Sequence, residues 1–527
     1  MKQMKRRTFI NGKIFTGTSE NDFVDSLVVE DGKIVSAGGD PGEIVDLKGQ
    51  TVLPGLIDNH THPKYIADAL HGAACTPPLV NSISELQEAL RQTPEYGQGP
   101  NVWIEGWGFD ESKLAEHRSP TRDDLDQVST TQPIFLYRSD CHSSVGNSRA
   151  LELAGIDEHT PDPAGGKIER DASGRPTGFM REVAASQLLI RAKSALSYEN
   201  DVANLVKSSD HYLANGLVAI GEMMGRLHPY ASLSLYQDAY KAGFKPKSAI
   251  YYVADELSGP LEIAKGDRLR VAGLKVFMDG SISGETALMK EPFPSGKKGV
   301  SLTSAARLEE IIAYARENGL QVAVHAMGDA AIQRVIDVCR DLDPWLAGQP
   351  SVRIEHASLL SDQMIKELKA AKIGLAVSTQ PIFFFAEEES YQQFLAADQL
   401  RLAYRIKSLE EGGVLFSLSS DAPCTPWAEP DSPFYGIYAA VTRRTASGGF
   451  INEDEGISVP QAVLAYTRDA AKMGGFVNNG TLTPGKDADF VILDRDIFAQ
   501  KAADLAQVKA ASTWIGGEKV WSREAAK

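Results

Sequence analysis

A chain of 527 residues with 54 Lys and Arg against 70 Asp and Glu carries a formal net charge of −16, which argues against a general nucleic-acid binder, since such proteins present a basic face. With 43% hydrophobic and 24% charged residues it reads as a soluble globular enzyme, long enough for two or three domains. Cys75, Cys141, Cys339 and Cys424 show no CxxC spacing and no disulfide framework, so a reduced, cytoplasmic setting is expected. Met1–Arg7 is basic like the start of a secretion signal, but Thr8–Lys13 breaks off before an apolar stretch forms. No run approaches the ~20 apolar residues of a membrane helix.

The first fifty residues are predicted to form short strands with tight turns: Thr8–Phe15 around Asn11-Gly12, then Ser26–Ser36 around Asp31-Gly32. Asn-Gly and Asp-Gly between apolar runs are strong hairpin signals. The C-terminus has the same character at Asp489–Asp494 and Thr513–Trp521, with Gly at the turn. Neither end is long enough for a core of its own, so the two are expected to pair into one small β-domain.

Between them the pattern changes to alternating strand and helix. Apolar runs that read as buried parallel strands lie at Thr51–Ile57, Leu217–Glu222, Ser248–Val253, Val271–Met278, Leu320–His325, Val352–Glu355, Gly374–Ser378 and Val414–Ser419. Helices are predicted at Ala305–Glu317, ended by Asn318-Gly319, at Asp329–Asp341 and at Asp362–Ala371. Eight strands in βα alternation favour an α/β fold of the (β/α)8 TIM-barrel type over an open doubly wound sheet, and no G-x-G-x-x-G follows the first strand. From His71 to about Ser197 the gap between strands one and two far exceeds usual loop lengths. It has its own helix signal, Ser84–Arg91, and β-like pieces at Val102–Glu105 and Pro133–Tyr137. Residues 71–197 are therefore read as an inserted subdomain after strand one, at the active-site face.

In such a barrel, chemistry collects at the C-terminal strand ends. Strand one finishes at His60-Thr61-His62, strand four contains Lys275, strand five finishes at His325, strand six at His356 and strand eight at Asp421. Residues two apart on an extended segment face the same way, so His60 and His62 can grip one ion. Imidazole and carboxylate suit zinc and similar divalent ions, with a position left for a water whose pKa the metal lowers towards ~7. Each piece also has a structural reading: a lone H-x-H fits two ordinary histidines, and Asp421 could order the turn before Pro423. The joint placement of four of the ten histidines and Asp421 after apolar strands is what argues for a metal centre. Lys275 would be a costly buried charge in a barrel mouth. It either pairs with an acid such as Asp279 or adds carbon dioxide, giving an anionic carbamate that bridges two metals.

With these residues in view, the sequence resembles the amidohydrolase superfamily, and within it the YtcJ-like or N-substituted formamide deformylase-like branch. The likeness spans nearly the whole chain and rests on Leu53–His62, Gly273–Ser281, Val324–Asp329, Arg353–Ala357, Ser419–Pro423, Ala440–Arg444 and Pro484–Phe490. It implies a barrel over 54–478 and a β-sandwich built from 1–53 and 479–527. It also implies metal ligands at His60, His62, His325 and His356, Asp421 as acid/base, and carboxylation of Lys275. The expected activity is hydrolysis of an amide or related non-peptide C–N bond of a small molecule. One or two divalent ions would serve it, zinc first, with manganese or iron as alternatives.

Other residues remain open between substrate contact and ordinary packing. His142 lies in Asp140–Asn147, a segment this branch often carries as Asp-x-His, and Trp107 and Phe109 lie in Gly106–Asp110. Gln380 heads the aromatic run to Phe385, and Arg443 and Arg444 would suit either an anionic substrate group or a salt bridge. A ring-amine deaminase is the second enzyme reading, although Gly328 stands where such enzymes often place a glutamate. A silent barrel acting as a binding or regulatory protein is the non-enzyme reading. The expected partner is a small-molecule substrate, with no nucleic acid and no membrane. Barrels of this kind often dimerise, which leaves a homodimer open.

Overall fold

Pro54-Gly55 divides the first long apolar run of the chain. In the computed structural model, which describes residues 6–524 except 37, 40, 164 and 194–197, Thr51–Pro54 lies in one sheet and Leu56–Thr61 in another. The single strand expected over Thr51–Ile57 is therefore two. Gly55 marks the parting: its N–H donates to the Asp489 carbonyl at 2.9 Å, and a Cβ there would collide with Val218. The basic start at Met1, through residue 5, and the expected end of the insertion at Ser197 lie outside the described residues.

The termini supply two sheets. Arg6–Ile10, Leu27–Glu30, Lys33–Val35 and Glu43–Asp46 form one of four strands. Lys13–Phe15, Phe23–Val24, Thr51–Pro54, Phe490–Leu493, Ala510–Ile515 and Glu518–Ser522 form one of six. Phe9, Leu27 and Ile34 from the first share an apolar cluster with Ile14, Val52, Phe490 and Trp514 from the second. Asp31-Gly32 closes the expected hairpin, Glu30 opposite Lys33, with φ of 49° and 81°. Asn11-Gly12 does not: Ile10 and Lys13 belong to different sheets, so the hairpin expected over Thr8–Phe15 is absent. Asn11, at φ 58°, instead turns the chain sharply from one sheet to the other.

The central sheet has eight parallel strands: β1 (Leu56–Thr61), β2 (Leu217–Gly225), β3 (Lys247–Val253), β4 (Leu269–Phe277), β5 (Gln321–Ala326), β6 (Val352–His356), β7 (Ala376–Thr379) and β8 (Phe416–Leu418). The ladder runs in chain order from β1 to β8, a nearly closed barrel. Among the described residues no backbone ladder joins β1 to β8. A side chain bridges that seam, Asn59 Nδ2 donating to Ser417 Oγ of β8 at 3.0 Å, and Ser378 Oγ of β7 donates to Asn59 Oδ1 at 3.0 Å. Helices Ala305–Asn318, Asp329–Cys339 and Asp362–Ala370 follow the expected signals, with Ser304 and Ser361 as N-caps and Gly319 left-handed at φ 64°.

The chain divides into two compact units, Met1–His62 with Ser209–Ser420 and Asp431–Lys527, and Pro63–Ser208 with Asp421–Pro430. The second has its own mixed six-stranded sheet, from Lys167–Arg170 across to Ala73–Ala74. Leu86, Ile104, Phe109, Ile134 and Leu136 pack in its core. No helix among the described residues is long and apolar enough to cross a membrane.

Candidate metal centre

Because every barrel strand runs the same way, β1, β4, β5 and β6 deliver their C-terminal residues to one end. Phe277 lies opposite His325 and Ala326 opposite His356, so three adjacent strands finish level. The four strand-end histidines form a continuous group. Ring centroids are 5.8 Å apart for His60 and His62, 5.0 Å for His60 and His356, and 4.5 Å for His325 and His356.

Three of the rings are aimed by a neighbouring acceptor. His60 Nδ1 lies 2.5 Å from Glu355 Oε2. A carboxylate only accepts, so Nδ1 carries the proton and Nε2 the lone pair. That Nε2 faces Lys275 Nζ at 3.2 Å. His356 Nδ1 donates to Gln380 Oε1 at 2.8 Å, and its Nε2 is likewise the lone-pair atom. His325 is reversed: Nε2 donates to the Gly280 carbonyl at 3.1 Å, leaving Nδ1 as the basic atom. His62 Nδ1 stands 4.0 Å from Glu222 Oε1. Imidazoles whose second nitrogen is fixed by a carboxylate, amide or carbonyl are oriented as metal-binding histidines are, and the donor set suits a divalent cation.

Behind this group lies buried charge. Burial alone would raise the Glu355 carboxyl, but the adjacent Arg353 guanidinium and then His60 pull it down to about 2. Lys275 is buried, 5.1 Å above the Phe277 ring. Asp279 spends its carboxylate on the N–H groups of Leu288, Met327 and Gly328, at 2.8, 3.0 and 2.8 Å, and stands 3.5 Å from His325 Nε2. Burial pushes Asp279 up to about 7 despite those bonds. Asp58, also fully buried, is raised by desolvation to about 7 and accepts from Ser420 Oγ at 2.5 Å.

Asp421 is the residue after Ser420. It is buried and left-handed at φ 58°, a conformation that Asp tolerates better than most residues. Gln380 is buried beside His356. Arg443 is fully buried, its Nε donating to the carbonyls of Ile451 and Asn452 and its guanidinium 4.2 Å from the Phe384 ring centroid. His142 and Trp107 belong to the second unit. His142 is exposed, with Nδ1 3.4 Å from Glu182 Oε2, while Trp107 sits half-buried in the strand Ile104–Phe109. Arg353, Glu355 and Asp58 are not among the site residues expected from the sequence. The signal was present: Arg353 and Glu355 alternate on one face of a buried strand, where apolar residues are the rule.

The fold and this geometry agree with what known proteins resemble the chain. The family model described as "Amidohydrolase family" matches residues 43–521. An N-substituted formamide deformylase of Arthrobacter pascens is 29% identical, over 98% of this chain and 98% of that protein. The YtcJ amidohydrolase of Bacillus subtilis (strain 168) is 30% identical, over 97% and 98%. A metal-dependent hydrolase from Pyrococcus horikoshii OT3, known by crystal structure, superposes with a TM-score of 0.75 at 28% identity, covering 94% of this chain and 99% of that one. These likenesses support a hydrolase that uses a divalent metal. The matched span takes in every strand of the barrel and all four strand-end histidines, and the chain belongs to the amidohydrolase family.

Proposed function

We propose that the protein hydrolyses an amide or related non-peptide C–N bond of a small molecule. The observation that carries this reading is the aiming of the histidines: Glu355, Gln380 and Gly280 each hold one ring nitrogen, so that His60, His356 and His325 offer the other. His60, His62, His325 and His356 would hold zinc or a similar divalent ion, with Lys275 as a further ligand through a carbamate. Such an ion would supply Lewis acidity to a carbonyl oxygen and acidify a water.

The chain's own residues then have defined tasks. Glu355 and Gln380 keep two imidazoles in fixed tautomers, which removes the cost of reorienting them during turnover. Asp421 takes the proton of the attacking water and returns it to the departing nitrogen. Its support is its position directly after Ser420, which Asp58 holds at the end of the last barrel strand. Phe277 and Phe383 lie against His325 and His356, with centroids 5.4 and 5.8 Å away, giving an apolar flank suited to an uncharged acyl or N-substituent.

One relative is named for N-substituted formamides, so these head the substrate panel, followed by other N-acyl and cyclic amides. Elemental analysis of purified protein, and amine release from the panel by zinc- or manganese-loaded protein, test the proposal. Bound divalent metal with amine release supports it, and purified protein that retains no divalent metal and is inert when loaded overturns it.

A further inference from the structure

Arg353 is fully buried inside the barrel, where an apolar side chain would fill the space without the cost of desolvating a guanidinium. Its contacts converge on one residue. Nε lies 2.5 Å from Glu355 Oε1, and the other oxygen of that carboxylate lies 2.5 Å from His60 Nδ1. Nη2 donates to the carbonyl of Asn59, the residue before His60, at 2.7 Å. One guanidinium therefore holds His60 by two routes, through its ring and through its backbone. Arg353 and Glu355 stand two apart on β6 and share its inward face, so the strand itself sets their spacing. The plane of Arg353 is fixed in turn by the Tyr251 ring, with a centroid 4.9 Å away, and by Met223 Sδ at 3.6 Å.

We propose that Arg353 is a positioning residue for the metal centre, acting through Glu355 and Asn59 on His60. This rests on the metal-centre reading above. Arg353 touches neither substrate nor metal, and it determines which nitrogen of His60 is offered and where that nitrogen points. Lysine cannot reproduce the arrangement, because a single ammonium does not present a planar fork to a carboxylate and a carbonyl at once.

The test is zinc affinity, measured by competition with a chromophoric chelator, together with the His60 tautomer read from imidazole 15N shifts in metal-free protein. R353M and E355Q are each expected to weaken zinc binding about 10- to 100-fold, the range for partners of ligating histidines. R353K should fall between R353M and the parent. The double variant R353M/E355Q should lose less affinity than the two single losses added together, because the Glu355 route is shared. If R353M unfolds, R353K carries the affinity comparison. Parent-like zinc affinity together with an unchanged His60 tautomer in a folded Arg353 variant overturns the proposal while leaving the metal centre intact. A parent protein that binds no zinc overturns the metal-centre reading instead, and the tautomer comparison still decides whether Arg353 sets the His60 ring.

Discussion

Gln380 accepts the Nδ1–H of His356 at 2.8 Å while its own amide nitrogen donates to Ser419 Oγ at 2.9 Å. The amide is thus fixed in one orientation, and an imidazole on β6 is tied to the end of β8. Q380A is expected to lower metal affinity about 10-fold or more, and Q380E to retain most of it, because a carboxylate still accepts from Nδ1. Chelator competition checks this. A rise in KM with metal affinity unchanged would instead place Gln380 against the substrate.

Asp421 offers a clean substitution. Asparagine tolerates the left-handed φ of 58° nearly as well as aspartate, so D421N removes the charge without adding backbone strain. Turnover by D421N should drop at least about 100-fold, with metal content unchanged. Steady-state kinetics beside elemental analysis tests both halves, and parent-like turnover would remove Asp421 from the proton path.

Lys247, at the start of β3, ties the barrel to the C-terminal strands. Its Nζ lies 3.0 Å from Asp267, 2.5 Å from Asp487 and 2.8 Å from Asn479, with Asp489 3.7 Å away. K247M would leave the buried Asp489 without its cation. We expect a loss of about 3 kcal/mol, the low end for a broken buried pair, because Asp267 is about half exposed. Denaturant unfolding measures this, and zinc affinity should not change.

Glu355 predicts a pH dependence. Its native carboxyl is held at about 2, below its ordinary value of 4.5, so protons bind the unfolded chain more readily. The stability it contributes is fully present above about pH 4.5 and is lost as the pH falls towards 2. E355Q lacks this contribution. The difference in melting temperature between metal-free parent and E355Q should therefore shrink between pH 6 and pH 3, and a constant difference would contradict the assignment.

Much of the barrel could be read from local pattern, because parallel strands buried on both faces leave continuous apolar runs. The positions of His60, His325 and His356 follow from where those runs stop, whereas Lys275 lies inside one. Partnership was harder to read. Asn11-Gly12 and Asp31-Gly32 look alike in the sequence, yet only the second closes a hairpin, because sheet membership depends on contacts far along the chain. Thr51–Ile57 reads as one strand because nothing local reveals that Val218 crowds Gly55. Arg353 and Glu355 stood inside a recognised motif, but their link to His60 spans from β6 to β1.

Asn59 joins β1 to β8 across 358 positions of sequence, with His60 as its immediate neighbour. During synthesis, the first two histidines leave the ribosome long before Ser417 exists to fasten their strand. The fastening of β1 to β8 can therefore form only once the last barrel strand has been made.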